Sequence, residues 1–247
     1  MDDVTAVVAA LNKSGFPLQT RVEHEIQARV ASGWKLLASE HPWRDPDGQD
    51  QFVDLIASRG GVVLVIECKK AQESSLLFLR PLGGETTGIV KDVTVWHVEQ
   101  KPGTLSNITL PEDIQLEPES YRSQFCVATA TTGQQRLLEK DARLIVLAAD
   151  HVATDFARAL LPSRSLVVPV IVTTASLFTL RFQPTEIGLD TGRFSKLDHK
   201  KIESIRWVRF HKRLAARPSN RPRTVFVVNS EALPIFLETS RGHGFTP

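Results

Sequence analysis

The sequence predicts an α/β fold: a mixed sheet flanked by helices, with a β-rich insertion and a β-rich C-terminal extension. Three observations predict it. An amphipathic helical stretch from about Leu18 to Ser32 precedes three strand-like runs. The third of those runs, Val62 to Cys68, is apolar on both faces, as in a strand buried mid-sheet with helices or loops covering it. A long helical stripe (Leu138, Ala142, Ile145, Ala149, Val152, Phe156 and Leu160, spaced by three and four) then leads into a further apolar run from Val167 to Phe182. The predicted order is α-β-β-β-(insert)-α-β.

Taken in turn, residues 3–13 read as a short helix, broken by Ser14-Gly15-Phe16-Pro17. In the helix that follows, Val22, Ile26 and Val30 fall at i, i+4 and i+8 on one face, and Gly33 stops it. Trp34–Ser39 is strand-like, and 41–50 reads as a polar loop rich in turn formers. Strands at about 51–58 and 62–69 flank Gly60-Gly61, a hairpin signal. Residues 73–124 hold eight acids against four bases and include two short strands, Ser74–Pro81 and Asp92–Glu99, which suggests an insertion rather than a separate domain. The long helix spans about Gly133 to Leu161, and Val167–Phe182 forms one or two strands. Trp207–Leu214 and Arg223–Val228 are strand-like around the basic, Pro-containing loop 215–222, and Ser230–Thr239 is a short helix. The expected division is a core over 1–182, carrying the insertion at about 73–124, and a C-terminal β-rich extension over 183–247.

The chain has 247 residues, is 42% hydrophobic and carries a net charge of only +2, so whole-chain charge says little about partners. Its distribution says more: from Ile202 onward eight Lys and Arg face three Asp and Glu. Arg206, Arg209, Lys212, Arg213, Arg217, Arg221 and Arg223 lie within 203–224 against Glu203 alone. Two readings are open, a phosphate-contacting patch and a solvated basic loop. Of the two cysteines, Cys68 lies inside an apolar strand run, which argues against a structural disulfide and suits a reducing compartment. The N-terminus lacks the charge pattern of a signal peptide, and no apolar run reaches the roughly 20 residues of a membrane span. A cytoplasmic protein with no membrane partner is expected.

Chemistry concentrates at the hairpin. Asp54 lies six residues before Gly60 and Glu67 six after Gly61, so the two should oppose each other on one sheet face. Their Cβ atoms would be about 5 Å apart, with Lys69 beside Glu67 by period-2 alternation. Two carboxylates so placed repel unless a cation lies between them. Mg²⁺, which takes a few carboxylate oxygens plus retained waters, is suited to that place, and Mn²⁺ could substitute. The Cys68 backbone carbonyl could add an oxygen. A lysine nearby can stabilise negative charge on a phosphate. Glu23, three residues before Ile26 and seven before Val30, shares the helix's buried stripe and is a candidate third acid, for a second metal or for aligning the water shell. The plain alternative is that Asp54 pairs with Lys69 or Lys70 as a surface salt bridge.

Asp54, Glu67-Cys68-Lys69 and the upstream helix Glu23 together resemble the PD-(D/E)xK nuclease superfamily, most closely its Holliday-junction-resolvase and restriction-enzyme members. Val53 stands where the motif's proline would be, and the Q-x-x-x-Y signature of exonuclease-like members is missing. The resemblance implies a restriction-endonuclease-like αβββαβ core in which Asp54 and Glu67 hold Mg²⁺ and Lys69 assists catalysis. By motif it covers about residues 16–70 and, by element order, extends to about 180. The segment from 183 matches no motif.

Other signals are poor: there is no HExxH or His-Cys zinc spacing, no phosphate-binding loop at Gly83–Gly88 and no G-x-S-x-G elbow. For Lys70 a phosphate contact and simple solvation are both open, and Trp207 among basic residues could stack on a base or pack as an edge residue. The expected activity is Mg²⁺-dependent cleavage of DNA in restriction, defence or repair. Arg206, Arg209, Lys212 and Arg213 would contact phosphates, and the protein would act as a homodimer or with a defence-complex partner. The alternative is a nuclease-fold subunit that binds nucleic acid or protein without cutting.

Overall fold

A computed structural model describes residues 2–71, 75–83, 88–100, 107–129, 137–156, 164–213 and 221–241. Helices α1 (Asp2–Lys13) and α2 (Phe16–Gln27) lead into the strands β1 (Lys35–Arg44), β2 (Asp50–Arg59) and β3 (Val62–Lys69). The intervening segment supplies β4 (Ser75–Pro81), β5 (Ile89–Gln100), β6 (Asn107–Ser123) and β7 (Phe125–Ala128). Helix α3 (Leu137–His151) runs on through a π-helical turn at Val152–Phe156. After it come β8 (Arg164–Thr173), β9 (Ser176–Phe182), β10 (Ile202–Ile205), β11 (Trp207–Lys212), β12 (Arg223–Asn229) and helix α4 (Leu233–Thr239).

The protein is a mixed α/β structure. Eight strands form one mixed sheet in the order β1-β2-β3-β8-β12-β11-β6-β5. β3 is central, antiparallel to β2 and parallel to β8. On the other edge of β8, β5 pairs with its first half and β12 with its second half. The sheet thereby curls back on itself, and β8, β12, β11, β6 and β5 close into a five-stranded barrel. A second sheet, β10-β9-β4-β7, packs beside it.

Burial explains the layering. β3 reads Val62-Val-Leu-Val-Ile66, with every side chain buried, because both faces are covered. Leu18, Val22 and Ile26 of α2, with Leu233, Phe236 and Leu237 of α4, cover Leu64 and Ile66 on one face. Ala142, Ile145, Val146 and Ala149 of α3 cover Val63 and Val65 on the other. Trp34 is locked into the first layer by its Nε1–H donating to the Leu237 carbonyl at 3.0 Å.

Four sequence expectations change. Val30 is 64% exposed, because α2 ends at Gln27 and a 3-10 turn over Val30–Ser32 rotates it off the stripe. β1 continues through His41–Arg44, within the expected loop: Trp43 pairs with Gln51, and its buried ring gives the strand an apolar anchor. The turn is only 45–49, where the Asp45 carboxylate accepts from the Asp47 and Gln49 amides at 3.0 and 2.8 Å. The acidic 107–123 stretch, not read as a strand, is the longest one. It pairs along β5, with Glu112, Asp113, Gln115 and Glu119 exposed while Leu116, Ser120 and Ser123 are buried. The 183–247 stretch, expected to be an extension, contributes β11 and β12 to the main sheet, so long-range pairing joins what composition had divided. The expected helix limits at Gly133 and at Leu160–Leu161, and the basic Arg217, lie outside the described residues.

Candidate functional site at the end of the central hairpin

Gly60 and Gly61 have φ of +52° and +83°, a left-handed pair that admits glycine and produces a tight hairpin. From this turn the ladder runs Arg59↔Val62 through Leu55↔Ile66, and the same register brings Asp54 opposite Glu67. At Asp54 the alternation slips. Leu55 and Ala57 belong to the layer under α2, while Val53 and Ile56 belong to the layer under α3. Asp54 nevertheless lies within electrostatic reach of both Glu67 and Lys69. The Asp54 carboxylate turns to the Cys68 peptide, accepting from its amide at 2.6 Å and lying against its thiol. Glu67 faces α3.

On that side Lys69 Nζ lies 2.8 Å from Glu67 Oε1 and 3.5 Å from Asp141 Oδ1 of α3. The three side chains sit in a groove whose walls include Trp43, Phe52 and Ile145. A second hollow of about 110 Å³ continues past Lys69 and Asp141 to Lys70, Leu138 and Thr173. Burial, then the charge of Asp54, pushes the Glu67 carboxyl up to about 7 against the opposing pull of Lys69. Burial also raises Asp54, with Glu40 adding to the rise while the Cys68 amide and Lys69 oppose it. Asp141 is raised by burial and held back by Lys69. Lys69 is raised, since attraction from Glu67, Asp141 and Asp54 outweighs its burial. The plain alternative, a salt bridge from Asp54 to Lys69 or Lys70, is not the pairing formed: Lys69 bonds Glu67, and Lys70 is exposed.

The remaining candidate residues divide. Glu23 is half-buried, and its Oε1 accepts from Gln27 on its own helix at 3.1 Å. The α2 residue that reaches the strand acids is Gln19, one turn earlier, whose amide donates to Glu40. Glu25 on the same helix is held between Arg21 and Arg29. Arg206 and Arg213 are exposed. Arg209 is not at the surface: it is 0% exposed, donates to Leu116 O and Ser120 Oγ at 2.6 Å each, and stacks over Phe226. Burial brings it down to about 10. Lys212 is turned inward too, pairing with Glu139 and lying 4.5 Å from the Phe210 ring centroid. Both faces of β11 are covered, with Val208–His211 buried in succession, so Arg209 on one face and Lys212 on the other both turn inward. Trp207 packs on Phe236 and donates Nε1–H to Glu119 O at 3.0 Å, the edge role rather than a free base platform.

Two further acids, outside the predicted set, stand at the site. Asp141 sits three residues after Leu138 and four before Ile145, so it shares the buried stripe, and an acid there is a signal in itself. Glu40 lies between Ser39↔Leu55 and His41↔Val53, opposite Asp54 across β1 and β2, with φ at +51°. Its signal was hidden while the segment just after it counted as loop. Among the described residues no three His, Cys, Asp or Glu side chains form a ready metal cage. Both cysteines are free thiols. No described helix is long and apolar enough to cross a membrane. Comparison with known proteins returns no match: no family model fits the chain, and no curated protein or solved structure is significantly similar to it.

Proposed function

We propose that the chain is a Mg²⁺-dependent endonuclease of restriction-endonuclease-like fold, acting on DNA in restriction, defence or repair. The order α2, β1–β3, insertion, α3, β8, with β3 and β8 parallel in a mixed sheet, supports the fold reading. One observation carries the chemistry. Glu67 sits in a groove, paired with Lys69 at 2.8 Å, and burial, then the charge of Asp54, pushes its carboxyl up to about 7. Such a group gains when a cation arrives.

The donor set suits one Mg²⁺. Asp54, which accepts from the Cys68 amide, and Glu67 would hold the ion, and the Cys68 backbone carbonyl could add an oxygen. The bound ion supplies a Lewis acid that polarises a phosphate oxygen and makes its water a better nucleophile. Glu67 and Asp141 hold the Lys69 ammonium in place, where it can steady charge on the phosphate. Exposed Lys70 lines the adjoining hollow, where it would meet a flanking phosphate.

Plasmid cleavage by the purified protein in Mg²⁺ tests this. Lys69→Ala should lower the rate by about a thousandfold, the size expected for losing a pre-positioned charge. Equal cleavage by both proteins sinks the assignment. The second reading, a nucleic-acid- or protein-binding subunit that does not cut, draws on the absence of a three-acid cage among the described residues. It predicts no Mn²⁺ binding that depends on Asp54 and Glu67, which calorimetric titration of Asp54→Asn and Glu67→Gln would reveal.

A further inference from the structure

We propose that the mouth of the five-stranded barrel binds a small phosphorylated molecule of mononucleotide size. A cavity of about 550 Å³ opens around the start of β12, lined by Asp92, Asp113, Arg122, His211, Arg213 and Arg221 among others. It shares no lining residue with the groove at Lys69. Its volume lies within the range of small-molecule pockets, roughly 300–1,000 Å³.

The lining chemistry points to the ligand class. Three guanidiniums from separate places in the chain converge on one hollow, which matches a phosphate dianion better than a monovalent acid. Two of them are only partly engaged. Arg221 Nη1 meets Asp113 Oδ2 at 3.5 Å, a long and solvated pair. Arg122 Nη2 reaches Asp92 O at 3.3 Å, and its Nε is buried with no hydrogen-bond partner among the described residues. His211 is anchored through its Nε2 to Thr224 Oγ1 at 3.1 Å. Burial, then Arg122 and Arg209, pushes it down to about 4, so at neutral pH it offers a hydrogen bond without charge.

The two carboxylates exclude a simple anion patch and disfavour a continuous phosphodiester strand, which they would repel. Asp92 and Asp113 instead suit hydroxyl or amino donors two to three bonds removed from the phosphate, as a nucleoside carries. Thr94 Oγ1, donating to Asp113 Oδ1 at 2.5 Å, fixes that carboxylate in the wall.

Calorimetric titration of the full chain with AMP, GMP, CMP and UMP, and in parallel with inorganic phosphate and a twelve-nucleotide oligo(dT), tests the proposal. At least one mononucleotide should bind more tightly than about 1 mM. Arg122→Gln and Arg221→Gln should each weaken it at least tenfold. Asp113→Asn should weaken the mononucleotide severalfold while leaving inorganic phosphate unchanged. Arg221 is exposed, so its variant should melt like the wild type and keeps the test valid if Arg122→Gln misfolds. The proposal is overturned if none of the four mononucleotides binds. Binding indifferent to Arg221→Gln overturns it as well, as does oligo(dT) that binds more tightly than every mononucleotide with the same arginine dependence. The outcome is independent of whether the Lys69 groove cuts DNA.

Discussion

Lys69 and Arg209 are cations on strands of one sheet, and they meet opposite fates. Arg209 is sealed: two oxygens at 2.6 Å and a further carbonyl at 3.3 Å engage its terminal nitrogens, and an aromatic face covers it inside the barrel wall. Lys69 stands at the end of its strand between two carboxylates, beside a groove that stays open. The same kind of charge thus serves packing where neutral oxygens and an aromatic face hold it inside the wall. It is available for chemistry where its partners are ionisable and a cavity adjoins them. A local excess of basic residues in the sequence does not distinguish these cases.

Several experiments would break or sharpen this contrast. The largest effect on stability belongs to Arg209→Met. Removing the guanidinium leaves the Leu116 carbonyl and the Ser120 hydroxyl without a buried partner, and should cost about 3 kcal/mol in urea unfolding. Lys69→Ala, by contrast, should leave the unfolding midpoint nearly unchanged. If Arg209→Met unfolds like the wild type but loses DNA binding, the contrast is wrong.

The next effect is one of pH. Glu67 is raised from an ordinary carboxylate to about 7, so the metal-free folded state keeps a proton that the unfolded chain has already lost. Stability from this group is therefore greatest below the unfolded pKa and falls as pH rises toward 7. Metal binding needs the deprotonated form, so Mn²⁺ affinity should rise about tenfold from pH 6 to pH 8. Glu67→Gln should flatten the stability profile, and an affinity independent of pH would rule out Glu67 as a ligand.

A smaller change is expected at Asp141. It helps raise the Lys69 pKa, so Asp141→Asn should bring the alkaline limb of the cleavage profile to lower pH and reduce the rate about tenfold. A merely structural role would lower the rate without moving that limb. The smallest change belongs to Glu23→Gln, which should alter cleavage less than about twofold because Gln27 already engages its carboxylate. A large loss there would restore it to the site.

Much of the fold was legible because short-range patterns encode it. The Gly60-Gly61 turn, the unbroken apolar run of β3 and the stripe of α3 each state their local structure, and the hairpin register followed by counting. The closed barrel was not legible. It depends on β5 and β12 sharing successive halves of one edge of β8, a pairing between residues far apart in the chain. The site was half legible in the same way: Glu67 and Lys69 are two residues apart on one strand and had to share a face.

By itself the sequence determined the hairpin, its register and the alternation that sets Lys69 beside Glu67, since backbone sterics and the period of a strand act over a few residues. Tertiary structure alone decided which acid completes the cluster, bringing Asp141 from a helix and turning Asp54 toward Cys68. It also decided which arginines reach the surface. Packing of distant elements fixes solvent access and charge neighbours, and no local pattern carries that information.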